Sequence, residues 1–230
     1  MLLIKYLKTF LLTILSVLFP EKCLICDNIL KEEEKYICSS CKDNYLIKNT
    51  IKDDYFAPLI LFAKDIVVLF RYRYCANAIK AFKFNRQVPI GKKLAKLLAQ
   101  EIKQKEWVKE LDYIVPVPLH KKALRKREFN QCEIIASVLS KELDVPMESG
   151  NLYRIKYNKP QHNLAREKRY DNVSNNFALK QASQFKGKTI LLIDDVITTC
   201  STLKACCKAL KENEDTTIYI STLSSTRVKF

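Results

Sequence analysis

The chain has 230 residues, 48% of them hydrophobic, and 40 lysines and arginines against 25 aspartates and glutamates give a formal net charge of +15. That much apolar side chain excludes a disordered polyelectrolyte and suffices for one or two packed domains. Three glycines (Gly91, Gly150, Gly187) exclude a glycine-rich P-loop, a GxGxxG fingerprint and a collagen repeat, so a nucleotide site would have to use other residues.

The chain opens on an apolar stretch in which Lys5 and Lys8 precede an uncharged run from Thr9 to Phe19. A bilayer span needs about 20 apolar residues, and no small-x-small cleavage site precedes Pro20, so a buried or surface-lying amphipathic helix is expected rather than an export signal or a stable transmembrane span. Nine cysteines is an odd number, which does not read as a secreted disulfide framework and points to a reducing, cytoplasmic setting.

Cys23-x-x-Cys26 and Cys38-x-x-Cys41 follow, separated by a short charged segment. Four thiolates in two such pairs close a tetrahedral zinc shell with no open position, which is a structural arrangement. The segment could not build a core unaided, so metal binding would supply its folding free energy. Cys75, Cys132, Cys200, Cys206 and Cys207 show no pairing pattern and read as packed small residues.

Three regions are expected: residues 1–50 with the apolar helix and zinc module, residues 51–110 as a basic and mainly helical linker, and residues 111–230 as an α/β domain. The charge is central. Residues 61–130 hold 17 basic against 6 acidic side chains and residues 131–190 hold 10 against 6, a surplus of +11 and +4 that accounts for the whole +15. An anionic partner and a solvated lysine-rich surface explain this equally well at this level.

In the last region Tyr113–Pro118 reads as a buried strand closed by proline, and Asn130–Leu143 carries Ile134, Ile135, Val138 and Leu139 at helical spacing. Thr189–Ile193 reads as a second buried strand ending at Asp194 and Asp195, followed by a helix from Ser201 to Lys211 and a strand from Thr216 to Leu223. This alternation predicts a mostly parallel sheet flanked by helices, with ligands at the carboxyl ends of the strands. Two adjacent carboxylates followed by Thr198, Thr199, Ser201 and Thr202 suit one ligand in particular. Hydroxyls and helix N-terminal N–H groups bind an anion, while carboxylates suit vicinal ribose hydroxyls or a hydrated magnesium ion. A sugar with a 5′-phosphate satisfies both halves.

The segment LLIDDVITTCST (191–202) resembles the 5-phosphoribosyl-1-pyrophosphate (PRPP) motif of type I phosphoribosyltransferases. Together with FPEKCLICD, KAFKF around Lys83, YIVPVPLHKKALRKREFNQ and RIKYNKPQHNLAREKRYDN, it is similar to the competence protein ComF family, also called GntX-like. The resemblance implies a type I phosphoribosyltransferase fold, a four-cysteine zinc module and magnesium bound with PRPP. Asp194 and Asp195 would meet the ribose hydroxyls, and Thr198, Thr199, Cys200, Ser201 and Thr202 would cradle the 5′-phosphate. Leu119 and His120 would lie near the pyrophosphate, with Arg154, Gln161 and Arg169 on a loop that closes over the site. Transfer of the phosphoribosyl group to a nitrogen nucleophile is the implied chemistry, and involvement in DNA uptake the implied setting.

The basic cluster Lys121, Lys122, Arg125, Lys126 and Arg127, extended by Lys83, Arg86, Lys92, Lys93 and Lys96, suits polyphosphate or single-stranded DNA as well as it suits plain solvation. A non-catalytic DNA-binding accessory to a helicase or translocase is therefore the competing expectation. Two departures from the family pattern are visible. Cys200 and Glu128 stand where the family has glycine, which predicts strain wherever the backbone needs positive φ.

Overall fold

The computed structural model describes residues 19–47, 56–120, 124–125, 128–155, 176–212 and 215–227. The apolar run before Phe19, and Lys121, Lys122, Lys126, Arg127, Gln161 and Arg169, lie outside these residues. The chain divides between Leu46 and Ile47 into two compact units. Among the described residues no helix is long and apolar enough to cross a membrane.

The first unit contains α1 (Ser39–Tyr45) and the two cysteine knuckles. The Cys23 N–H donates to the Asn28 carbonyl at 2.8 Å and the Asp27 N–H to the Cys23 carbonyl at 3.0 Å, folding the first knuckle back on itself. Glu34 ties the linking segment to α1, accepting from the Lys31 and Ser39 N–H groups and the Ser39 hydroxyl. Those donors stabilise the ionised form and hold the Glu34 carboxyl down at about 2.

The second unit begins with α2 (Ala57–Ile60), β1 (Asp65–Arg71), α3 (Tyr72–Phe84) and α4 (Val88–Ile102). Then come β2 (Tyr113–Pro116), α5 (Gln131–Leu143), the short strands β3 (Leu152–Arg154) and β4 (Phe177–Leu179), β5 (Thr189–Ile197), α6 (Ser201–Leu210) and β6 (Thr217–Ser225). The main sheet has the order β1-β6-β5-β2 and is parallel throughout. Strands β3 and β4 pair antiparallel in a separate ladder.

Strand alternation splits the core. Ile190 and Leu192 join Val115, Ile218, Ile220 and Leu203 in one cluster on the α6 side. Their neighbours Leu191 and Ile193 are equally buried, as a parallel sheet covered on both faces requires. Helices α3, α4 and α5 pack against one another and against the strands. Gly91 makes part of this possible: a Cβ there would lie 2.3 Å from the Phe82 ring, so only glycine lets α4 approach α3 this closely.

One element is added and one boundary corrected. Among the mainly helical residues 56–110, Ile66–Phe70 form the buried centre of a strand, β1, which pairs with β6. A five-residue apolar run buried on both faces has no period that separates strand from helix. The aspartate-bearing strand also runs on to Ile197, since β6 pairs beside it with Asp194 opposite Thr222 and Ile197 opposite Ser225. The two carboxylates therefore sit on rigid sheet and not on the loop beyond it.

Candidate functional site

All four strands of the parallel sheet end on one edge, and a cleft of about 450 Å³ opens there. Asp194, Asp195 and Val196 form its floor. Val117, Pro118 and Leu119 border it after β2, Gln131 and Cys132 from the start of α5, and Arg154 from the end of β3. Thr198 and Thr202 close the side nearest α6.

Asp194, on the cleft floor, is partly open to solvent but hemmed in by protein. Its Oδ1 accepts from the Asp195 N–H at 2.8 Å and from the Cys132 thiol at 3.5 Å. Burial and the neighbouring Asp195 charge push its carboxyl up to about 7, against the opposing pull of Lys83 and these donors. Cys132 is driven well above the ordinary thiol range by burial and by both carboxylates, so it remains an S–H donor. Asp195 is buried, and its Oδ1 meets Lys83 Nζ at 2.8 Å.

The loop after β2 is pinned to α5. Asn130 caps that helix, accepting from the Cys132 N–H at 3.1 Å, and its amide donates to the Val117 carbonyl at 3.1 Å. The Val117 N–H in turn donates to the Ile193 carbonyl. Leu119 faces the cleft, and His120 lies just beyond its lining with its carbonyl accepting from the Leu124 N–H. Arg125 is exposed. The guanidinium of Arg154 lies 5.4 Å from the centre of the Phe177 ring, at the base of the β3–β4 ladder.

The hydroxyl loop is divided. Thr198 and Thr202 face the cleft, while the hydroxyls of Thr199 and Ser201 meet at 3.0 Å. Cys200 turns inward to the core, and its backbone is left-handed at φ 65°. That is the conformation glycine adopts without penalty, so the expected strain is present. Glu128 likewise holds φ 67°.

Sequence reasoning placed Lys83 in a basic stretch but not opposite Asp195. The two are 112 positions apart, and only the packing of α3 joins them. Cys132 was read as a packing residue and is also a donor to Asp194. Gln131, which donates from its side chain to the Lys83 carbonyl at 3.5 Å, stood in the family motif without an assigned role.

In the zinc module the four sulfur atoms of Cys23, Cys26, Cys38 and Cys41 lie within 4.8 Å of one another. A tetrahedron of thiolates around zinc has edges of about 3.8 Å, and Cys26 and Cys38 Sγ are 3.7 Å apart. The residues fit the ion. Burial pushes the Cys23 thiol up, but hydrogen bonds from Cys38, Cys26 and Ile25 outweigh it and hold the thiol down at about 7, favouring the thiolate that a metal requires.

Residues 130–227 match the phosphoribosyl transferase domain family model, and residues 14–51 match the double zinc ribbon domain. The chain is 34% identical over 138 residues to competence protein F of Haemophilus influenzae, covering 58% of this chain and 60% of that protein. It is 30% identical over 151 residues to the DNA utilization protein YhgH of Salmonella typhimurium, covering 64% and 66%. In both cases the match spans less than two thirds of the relative's own length. Over more than half of its length the chain is similar to these competence and DNA-utilization proteins. It carries a phosphoribosyltransferase-type domain behind a cysteine cluster that forms a zinc ribbon. A purine phosphoribosyltransferase from Pyrococcus horikoshii superposes with a TM-score of 0.37 at 18% identity, over 59% of this chain and 72% of that one. The phosphoribosyltransferase match begins at the cap of α5, so β1, α3 and Lys83 lie outside it.

Proposed function

We propose that the cleft binds PRPP or a related ribose 5-phosphate with magnesium, and that the protein transfers the phosphoribosyl group to a nitrogen nucleophile. One observation carries the reading: paired carboxylates and the hydroxyl-bearing N-terminus of α6 face a single cleft at the carboxyl edge of a parallel sheet. In this reading Asp194 and Asp195 accept hydrogen bonds from the ribose hydroxyls, and Thr198 and Thr202 donate to the 5′-phosphate. The pyrophosphate lies toward Leu119 and His120.

Magnesium, which prefers hard oxygen donors, would ride on the pyrophosphate and offset the charge of the leaving group. The chain's own part is to hold the ribose on the sheet floor while the C1 bond loosens, with cations near the departing group. Titration of PRPP with magnesium into the wild type and into Asp194→Asn/Asp195→Asn tests this. Binding by the wild type that falls at least about tenfold in the double variant supports it, as loss of charged hydrogen-bond partners predicts. Equal binding, or none in either protein, overturns it.

The second reading is single-stranded DNA binding in support of a cytoplasmic helicase or translocase, which the relatives' roles in competence and DNA utilization favour. Phe84 is 66% exposed, with Lys80 and Arg86 exposed nearby in sequence, a combination suited to stacking and backbone contact. Affinity for an oligodeoxynucleotide that is flat with salt, or unchanged in Phe84→Ala/Lys80→Ala, would eliminate it.

A further inference from the structure

The cation at the acidic pair comes from outside the segment that matches the phosphoribosyltransferase model. Lys83 stands near the end of α3, next to Phe82, whose ring is buried beneath Gly91 and lies 6.0 Å from the ring of Phe129. That anchor aims the lysine into the cleft, where its Nζ reaches Asp195 Oδ1 at 2.8 Å with side-chain exposures of only 18% and 12%. The lysine also lines the cleft, and its own carbonyl accepts from Gln131. Both ends of the residue are thus fixed, by the Phe82 anchor and by the start of α5.

Two adjacent carboxylates in a confined space repel one another, and an enclosed carboxylate needs a partner to keep its charge. The groups around Asp194 come from four elements: Asp195 from its own strand, Lys83 from α3, Cys132 from α5 and Cys206 from α6. Lys83 is the cation among them, and Arg154 lines the same cleft from β3.

We propose that Lys83 is a positioning residue of the acidic pair: it neutralises and orients the carboxylates so that they can accept hydrogen bonds from a ligand's vicinal hydroxyls. The vicinal diol rests on the function proposed above, whereas the coupling of Lys83 to the carboxylates does not. Lys83 already acts on Asp194 in the expected direction, drawing its carboxyl down against burial and Asp195.

The test has two arms. In the first, ligand-free protein is titrated by carbon-13 NMR of the aspartate carboxyls in the wild type, Lys83→Met and Lys83→Arg. Asp194 is expected to titrate at higher pH in Lys83→Met and to return toward the wild-type midpoint in Lys83→Arg. In the second, binding of PRPP with magnesium is followed against pH. Lys83→Met is expected to bind at least about tenfold more weakly at neutral pH and to move the pH profile upward, with Lys83→Arg recovering most of the loss. An unchanged Asp194 midpoint in a folded Lys83→Met overturns the proposal. A shifted midpoint in a protein whose wild type binds no PRPP upholds the coupling and overturns the phosphoribosyl reading.

Discussion

Arg86 and Glu128 both hold left-handed backbone, at φ 54° and 67°, and their side chains meet Nη2 to Oε1 at 2.6 Å. The pair ties the turn after α3 to the segment entering α5. Both side chains are more than half exposed, so the pair itself contributes at most about 1 kcal/mol. The left-handed backbone at Glu128 costs about as much. Glu128→Gly removes both and is expected to unfold within about 1 kcal/mol of the wild type, whereas Glu128→Ala keeps the strain and loses the pair. Urea denaturation should place Glu128→Ala about 1 kcal/mol below Glu128→Gly, and equal midpoints would refute the strain argument.

Cys200 poses the same question in the core. Cys200→Gly relieves the left-handed strain but removes a buried thiol and loosens the unfolded chain, so its stability should stay within about 1 kcal/mol of wild type. Cys200→Val adds a β-branched side chain at positive φ and should lose more than about 2 kcal/mol. Thermal melting distinguishes the two, and a valine variant as stable as the glycine variant contradicts the assigned backbone.

Asp194 makes stability depend on pH. Its carboxyl titrates near 7 in the folded protein and at about 3.8 as a reference group, so the folded state holds the proton more tightly than the unfolded chain does. The resulting stabilisation is complete below the unfolded value and is lost as pH rises through about 7. Asp194→Asn keeps the acceptor oxygen and removes the titration. It should flatten stability between pH 4 and 7 and exceed the wild type at pH 8 by something on the order of 2 kcal/mol in urea melts. A wild-type curve with no such decline would remove the basis for placing this proton.

Gly91→Ala would drive a methyl group into the Phe82 ring. Overpacking of this kind costs about 1–3 kcal/mol, and the displaced ring adjoins Lys83. A lowered melting temperature is therefore expected together with a higher Asp194 titration midpoint, while an alanine variant with wild-type values of both would show that the helices part at no cost.

The cysteine cluster predicts about one zinc per chain in protein purified without chelator. Replacing Cys41 with serine should abolish retention of the metal and raise proteolysis of residues 19–46, because thiolate binding supplies that segment's folding free energy. Full zinc retention by Cys41→Ser would remove it from the ligand set.

The sequence showed most clearly what local chemistry decides. The run Ile190–Ile193, announced by the turn at Gly187 and closed by two aspartates, read as a buried strand, the CxxC pairs read as one zinc shell, and Cys200 in place of a glycine foretold strained backbone. Strand β1 was obscured because five apolar residues have no period, and β3 and β4 because three residues carry too little pattern. Lys83 was hidden for another reason. Its chemistry depends on a packing contact between Phe82 and Gly91 and on a carboxylate more than a hundred positions away, and no local periodicity encodes either.

The strand order sets the two halves of the acidic pair's neighbourhood on unequal footing. The carboxylates belong to β5, which has a strand on each side, while Lys83 hangs from a helix that follows edge strand β1. Edge elements open at lower free energy than the interior of a sheet. Local opening can therefore withdraw the cation while the carboxylates stay fixed, so amide exchange should release α3 well before β5.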